Sequence, residues 1–189
     1  MDFKLVVIGA SLGGLKALAS ILSELPADFP LPIAIVQHRT RDNGNSLRSI
    51  LQLISNLTLE EPNDKAEIKP GRVYLAPPNY HLLVEKGHFA LSTDPPVEYS
   101  RPSIDVLFES AALAYGASLI GIILTGANRD GARGASLIKH YGGYVIVQDP
   151  QTAESPAMPE AVLGMTPVDR VLPLEEIAAA LVQIQAAPL

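Results

Sequence analysis

The chain has 189 residues, of which 48% are hydrophobic and 18% charged, a composition that fills a sizeable core and excludes an intrinsically disordered protein. Its formal net charge of −6 argues against general nucleic-acid binding, which needs basic residues to neutralise phosphates. It holds no cysteine, which excludes disulfides, thiol nucleophiles and cysteine-ligated metals. No apolar run approaches the about 20 residues that a membrane span needs. We therefore expect a cytoplasmic protein without direct membrane insertion.

The first part of the chain alternates short apolar runs with amphipathic stretches. Residues 4–8 and 33–37 predict buried strands. Predicted helices follow over 12–25 and 45–54, where leucine and isoleucine recur at three- and four-residue steps. Pro26 ends the first of these helices.

The middle of the chain differs, because its apolar runs are short and no helical stripe separates them. Residues 72–76, 81–85 and 88–91 predict short strands, and the segment 85–88 is typical of a hairpin turn. After this middle segment, predicted strands and helices alternate again. The remaining predicted elements are strands over 119–124 and 144–148, helices over 103–115, 131–141 and 174–185, and a helix that begins with Ser155 as cap and Pro156 as first residue.

Alternating strands and helices make right-handed crossovers, which indicates a parallel sheet with helices on both faces. We therefore predict a single α/β domain over 1–189. It contains one doubly wound, mainly parallel sheet, with an antiparallel hairpin inserted near 72–91. Functional sites in such sheets lie beyond the carboxyl ends of the strands.

Three residues with reactive or titratable side chains, Ser11, His38 and Asp130, each follow a predicted strand. A serine nucleophile, a histidine base and an aspartate that orients the histidine together form an acyl-transfer triad. Ser11 lies in a glycine-rich turn before a helix, whose free N–H groups can stabilise an oxyanion. Each residue alone has a simpler interpretation: a helix cap for the serine, a solvated or hydrogen-bonded histidine, and a turn residue for the aspartate.

The chain resembles the catalytic domain of bacterial chemotaxis receptor methylesterases of the CheB type. The resemblance extends over nearly the whole chain. It is carried by the segments IGASLGGLKAL (8–18), VQH (36–38), PGRVYLAPPNYHL (70–82), RPSIDVLF (101–108), ILTGANRDGARG (123–134), QDP (148–150) and MP (158–159).

The resemblance implies an enzyme that hydrolyses glutamate 5-methyl esters of the cytoplasmic region of chemoreceptors, releases methanol and in many cases deamidates receptor glutamines. It assigns Ser11 as nucleophile, His38 as general base and acid, and Asp130 as the orienting acid. It places oxyanion donors at the backbone N–H groups of Leu12 and Ala127. It implies no metal and no cofactor.

The sequence departs from the family pattern around these residues. The family often has threonine after the serine, where this chain has Leu12, and T-G-M-G-x-D-G in the aspartate loop, where this chain has Ala127 and Asn128. The resemblance begins almost at Met1, without the receiver domain that usually precedes it. We therefore expect constitutive activity or control by a separate receiver protein.

Four arginines flank the predicted site on an otherwise acidic chain: Arg39, Arg41, Arg129 and Arg133. We hypothesise that they steer an acidic substrate toward the site, although surface arginines are common and exposed ion pairs contribute little. Two other functions stay open. The glycine-rich turn after the first strand could bind a nucleotide phosphate, as in Rossmann-like proteins, or the chain could be a non-catalytic interaction module of the same fold.

Overall fold

The computed structural model describes residues 2–38 and 44–186, with side chains from residue 47 onward in the second range. Seven strands form one sheet and two form a separate hairpin. The sheet strands are β1 (Leu5–Ala10), β2 (Ile33–Gln37), β3 (Thr58–Glu60), β4 (Arg72–Leu75), β7 (Leu119–Ile123), β8 (Tyr144–Gln148) and β9 (Arg170–Leu172), and the hairpin strands are β5 (His81–Glu85) and β6 (His88–Ser92).

In the part of the chain that the structure describes, five α-helices connect these strands and a sixth follows the last strand. They are α1 (Gly14–Glu24), α2 (Gly44–Ile54), α3 (Ile104–Tyr115), α4 (Ala132–His140), α5 (Ala157–Leu163) and α6 (Ile177–Ala186). The residues of the described chain include no helix that has both the length and the apolar character to span a membrane.

All neighbouring strands of the large sheet are parallel, in the order β3-β4-β2-β1-β7-β8-β9. Every residue of the central strands β1, β2 and β7 is buried, as expected for strands covered on both faces. The chain starts in the middle of the sheet and fills first one side and then the other. The carboxyl ends of β2, β1 and β7 therefore lie side by side at the point where the winding reverses.

Two apolar cores lie on opposite faces of this sheet. One contains Leu18 and Leu22 of α1 together with Ile177 and Leu181 of α6. The other contains residues of α3, α4 and α5, among them Phe108, and extends to the hairpin. The predicted fold class is confirmed: a doubly wound parallel sheet with helices on both faces and an antiparallel hairpin.

The hairpin is smaller than the sequence predicts. The strand at Arg72–Leu75 does not belong to it, because its largely buried residues pair in parallel with β2 and β3. The edge strands β3 and β9 were not predicted, since three residues are too few for a periodic pattern. Pro156 is the N-cap of α5 rather than its first residue, so the predicted cap at Ser155 is wrong by one position.

Candidate active site

Ser11 lies where β1 passes into α1. Its N–H donates to the carbonyl of Thr125 (2.9 Å), and its carbonyl accepts from the N–H of Gly14 (2.9 Å). The turn needs glycine at position 13, whose φ of 78° is left-handed. The N-cap of α1 is Gly13, and no side chain caps it, so the alternative that Ser11 is a helix cap is wrong.

The Ser11 hydroxyl points at the ring of His38, the residue that follows β2. Ser11 Oγ lies 3.2 Å from His38 Nδ1, and His38 Nε2 lies 2.8 Å from Asp130 Oδ2. Because the carboxylate only accepts, Nε2 carries the ring proton and Nδ1 presents a lone pair to the serine. The three residues form one continuous line of hydrogen bonds at the sheet edge.

The Asp130 carboxylate is fully buried and accepts on both oxygens. Oδ1 accepts from Ser103 Oγ (2.9 Å) and Asp105 N–H (2.9 Å), and Oδ2 accepts from Ile104 N–H (2.7 Å) as well as from His38. These donors include the first N–H groups of α3, where the helix dipole also favours a negative charge. Burial raises the pKa of Asp130, but the hydrogen bonds outweigh it and hold the pKa below its ordinary value.

A second carboxylate, Asp105, lies beside this site and has a different environment. Its Oδ1 accepts from the N–H groups of Gly131 (3.0 Å) and Gly134 (2.8 Å) at the start of α4. Its Oδ2 lies 3.9 Å from the Nε of Arg133 and accepts no hydrogen bond from the residues at 2–38 and 44–186. Burial raises the pKa of Asp105 to about 6, and the charge of Asp130 adds to that rise.

Gln37 joins the backbones of the serine and the histidine. Its Nε2 donates to the carbonyls of Ser11 (2.8 Å) and His38 (2.9 Å). Its Oε1 is buried and accepts no hydrogen bond in the part of the chain that the structure describes. It packs against Gly14, where a Cβ would lie 1.9 Å from it, so the helix must begin with glycine for the amide to fit.

The loop after β7 folds over Ser11. A Cβ on Gly126 would lie 3.0 Å from Ser11 Cβ and 2.5 Å from Met158 Cε, so glycine permits the close approach. Thr125 Oγ1 donates to the carbonyl of Leu12 (2.8 Å) and ties the loop to the serine turn. Within residues 2–38 and 44–186, neither the Leu12 N–H nor the Ala127 N–H donates to an acceptor.

A family model described as CheB methylesterase matches residues 6–181 of this chain. The chain belongs to the CheB methylesterase family. This is a family of carboxylic ester hydrolases, and the resemblance read from the sequence is confirmed.

Relatives within the CheB methylesterase family cover most of the chain. A protein of Leptospira interrogans is 52% identical over 180 residues, which cover 94% of this chain and 93% of that protein. A protein of Anaeromyxobacter dehalogenans, named protein-glutamate methylesterase/protein-glutamine glutaminase 2, is 45% identical over 178 residues, and this chain spans about half of its length (52%). The crystal structure of the Thermotoga maritima CheB methylesterase catalytic domain matches with a TM-score of 0.92 and 38% identity, covering 97% of this chain and all of that one.

The nucleotide-binding alternative also has structural evidence against it. A phosphate at the start of α1 would have to lie near Gly13. The carboxylate of Glu154 occupies that position, with Oε2 2.8 Å from where a Cβ of Gly13 would be. A negative side chain at a helix N-terminus repels a phosphate, so this CheB family member lacks the cradle that the alternative requires.

Two of the four predicted steering arginines can be located. Arg129 is exposed and lies 3.3 Å from Glu98, and Arg133 forms an ion pair with Glu109. Arg39 and Arg41 lie outside the described residues. The steering hypothesis stays a prediction.

Several polar residues of the site were not predicted from the sequence. Ser103 and the buried Gln37 contact the predicted residues, and Asn128 reaches His38, with its Nδ2 3.3 Å from the ring Nδ1. Asn128 was noted only as a departure from the family pattern. It does not adopt the left-handed backbone that would require glycine there. No local sequence pattern predicts these contacts, because each of them joins residues that are distant in the chain.

Proposed function

We propose that this protein is a serine hydrolase that removes methyl groups from glutamate 5-methyl esters in the cytoplasmic region of chemoreceptors and releases methanol. The observation that carries the proposal is the line of hydrogen bonds from Ser11 Oγ through His38 to Asp130. The names of the relatives support the substrate class, since the Anaeromyxobacter dehalogenans protein is named protein-glutamate methylesterase/protein-glutamine glutaminase 2.

In the proposed acylation step, Ser11 Oγ attacks the ester carbonyl carbon while His38 Nδ1 takes the hydroxyl proton. Asp130 keeps the other ring proton on Nε2 and stabilises the imidazolium ion that forms. The tetrahedral intermediate collapses when the bond to the methoxy oxygen breaks. His38 then gives its proton to that oxygen, and methanol leaves.

In the proposed deacylation step, water repeats the sequence. His38 takes a proton from the water, the hydroxide attacks the glutamyl ester of Ser11, and the serine oxygen leaves with the proton. The products are a free glutamate side chain and the original enzyme. A glutamine side chain would pass through the same acyl-enzyme with ammonia as leaving group, and we extend the proposal to this deamidation.

The backbone N–H groups of Leu12 and Ala127 are the proposed oxyanion donors. Leu12 directly follows the nucleophile, and its N–H lies at the N-terminal end of α1, where the helix dipole favours negative charge. Ala127 belongs to the loop that packs on Ser11 through Gly126. Both N–H groups lack acceptors within residues 2–38 and 44–186, as donors reserved for a substrate oxygen must.

The test is methanol release from a methylated chemoreceptor cytoplasmic fragment by the parent protein and by Ser11→Ala. Ser23→Ala is the matched control, because that hydroxyl is exposed and donates to the carbonyl of Ser20 on its own helix. We expect release by the parent and the control and none above background by Ser11→Ala. Equal release by all three, or none by the parent, contradicts the proposal. Repeating the assay with an activated receiver protein tests whether a separate partner controls the rate, since an unchanged rate means constitutive activity.

A further inference from the structure

Asn128 contacts the reacting nitrogen of His38. Its Nδ2 lies 3.3 Å from His38 Nδ1, the same atom that lies 3.2 Å from Ser11 Oγ. Its Oδ1 accepts from the N–H of Asp130 at 3.2 Å. The second contact fixes the orientation of the amide, because only the NH2 group can then face the ring.

The ring nitrogen has one lone pair for these two donors. Asp130 holds the ring proton on Nε2, so Nδ1 accepts and does not donate. The serine hydroxyl and the asparagine NH2 therefore share one acceptor. The Ser11–His38 distance of 3.2 Å lies at the long end of the range for a hydrogen bond to a catalytic base, as expected for a lone pair that two donors share.

The sharing has a consequence for proton transfer. When the serine proton moves onto Nδ1, the ring N–H and the asparagine NH2 face each other as two donors, and the contact becomes unfavourable. Asn128 can relieve this only by turning its amide, which breaks the bond from Asp130 N–H. The asparagine therefore stabilises the resting arrangement more than the reacting one.

We propose that Asn128 is a positioning residue that competes with Ser11 for the lone pair of His38 Nδ1 and so restrains activation of the serine. This inference rests on the proposed function, in which His38 activates Ser11. It assigns a role to an asparagine at a position where the family often has glycine.

The first test measures how fast a biotinylated alkyl fluorophosphonate labels Ser11 in the parent, Asn128→Ala and Asn128→Ser. A serine at 128 can still accept from the N–H two residues later, but its shorter side chain withdraws from the ring. We expect both variants to be labelled about three- to tenfold faster than the parent. Asn63→Ala, at an exposed asparagine on the β3–β4 connection, is the control and should match the parent.

A role confined to holding the loop predicts a different pattern: Asn128→Ser would behave as the parent and only Asn128→Ala would change. Unchanged or slower labelling of both variants likewise overturns the proposal. Thermal unfolding of each variant shows whether a change in rate merely reflects loss of the fold.

The second test is the ¹⁵N signal of His38 Nδ1 in histidine-labelled protein. The comparison is made in a Ser11→Ala background, where the serine no longer donates to Nδ1. There, loss of the asparagine donor in Asn128→Ala should move this signal downfield, toward an unbonded lone pair, whereas an unchanged signal contradicts the contact. The NMR test does not depend on reactivity. If the parent resists the fluorophosphonate, the proposed function and the restraint on Ser11 both fail, and the signal alone decides whether Asn128 donates to the ring.

Discussion

Asp130 and Asp105 are two buried carboxylates of the same site whose pKa values move in opposite directions. The pKa of Asp130 is lowered, while that of Asp105 is raised to about 6. Both lose solvation to a similar degree, since Asp130 is 0% and Asp105 4% exposed. Burial therefore cannot explain the difference.

The difference lies in the donors that each carboxylate receives. Asp130 accepts on both oxygens, from His38, a hydroxyl and the first N–H groups of α3. Asp105 accepts on Oδ1 from the start of α4, but among the described residues its Oδ2 has only the distant Arg133. Donors that stabilise the charged form decide which carboxylate stays ionised to lower pH, and that carboxylate, Asp130, lies behind the histidine.

Replacement of Asp130 by asparagine should have the largest effect. The new NH2 group can donate to His38 Nε2, which moves the ring proton to Nδ1 and removes the acceptor for the Ser11 hydroxyl. We expect kcat for methanol release to fall by about 10⁴-fold. Asp28→Asn, at an exposed aspartate, is the control. A loss of less than about tenfold would show that Asp130 does not set the tautomer.

Replacement of Asp105 by asparagine should change the pH dependence of stability. Because the folded pKa of about 6 exceeds the ordinary value of 3.8, the folded state binds more protons between these values. The free energy of unfolding contributed by Asp105 therefore falls as pH rises from about 4 to 6. The raised pKa corresponds to an unfavourable term on the order of 2–3 kcal/mol above pH 6.

Asp105→Asn stays neutral and keeps an oxygen for Gly131 and Gly134, so that term should disappear. We expect the variant to gain stability over the parent as pH rises through this window, measured by urea unfolding at several pH values. The contribution of Asp130 to the free energy of unfolding has the opposite sign. Its lowered pKa stabilises the fold at pH values above the ordinary pKa of an aspartate, and this stabilisation is lost as pH falls through the folded pKa of Asp130. A constant difference between variant and parent across the window would contradict the assignment to Asp105.

Loss of one donor to Asp130 should have a smaller effect. The Ser103 hydroxyl donates to Asp130 Oδ1 at 2.9 Å and also accepts from Val106 N–H at 3.4 Å as the N-cap of α3. We expect Ser103→Ala to lower the free energy of unfolding by about 1–2 kcal/mol. Ser103→Gly separates the two roles, since glycine is a tolerated N-cap. If glycine restores the stability, the cap is what matters and the contact with Asp130 contributes little.

The sequence predicts the carboxyl edge of the sheet well. Ser11 and His38 directly follow strands whose apolar runs are clear, Asp130 lies in the loop after a third such strand, and parallel strands align their carboxyl ends at one edge. Their convergence needs only the strand order. The edge strands at 58–60 and 170–172 escaped prediction because three residues carry no period and the neighbouring strand specifies them.

The supporting residues could not be predicted by the same argument. Ser103 and Asp105 reach Asp130 from the start of α3, across more than 20 residues of chain, and this depends on how closely α3 packs on the sheet. The sequence places Gln37 at the end of a strand, but only the structure shows that its amide donates to two carbonyls. Side-chain direction and helix placement decide these contacts, and neither has a local sequence signal.

The smallest predicted effect concerns the exposed positive charges of Arg129 and Arg133, in contrast to the buried carboxylates. Arg129 is the more exposed of the two described arginines, with 73% of its side chain accessible against 58% for Arg133. Arg133 is paired with Glu109 and also approaches Asp105, so more of its positive charge is compensated. We propose that Arg129 contributes more than Arg133 to any steering of an acidic substrate.

At low ionic strength, Arg129→Ala should lower kcat/KM for the receptor fragment by about two- to fivefold, with a smaller effect for Arg133→Ala. The difference from the parent should disappear at about 0.5 M salt, where screening acts over a few ångströms. Arg72→Ala is the control, because Arg72 opens β4 at the opposite edge of the sheet and has a comparable ion pair with Glu60. An effect of Arg129→Ala that persists in high salt would indicate direct contact with the substrate instead of steering.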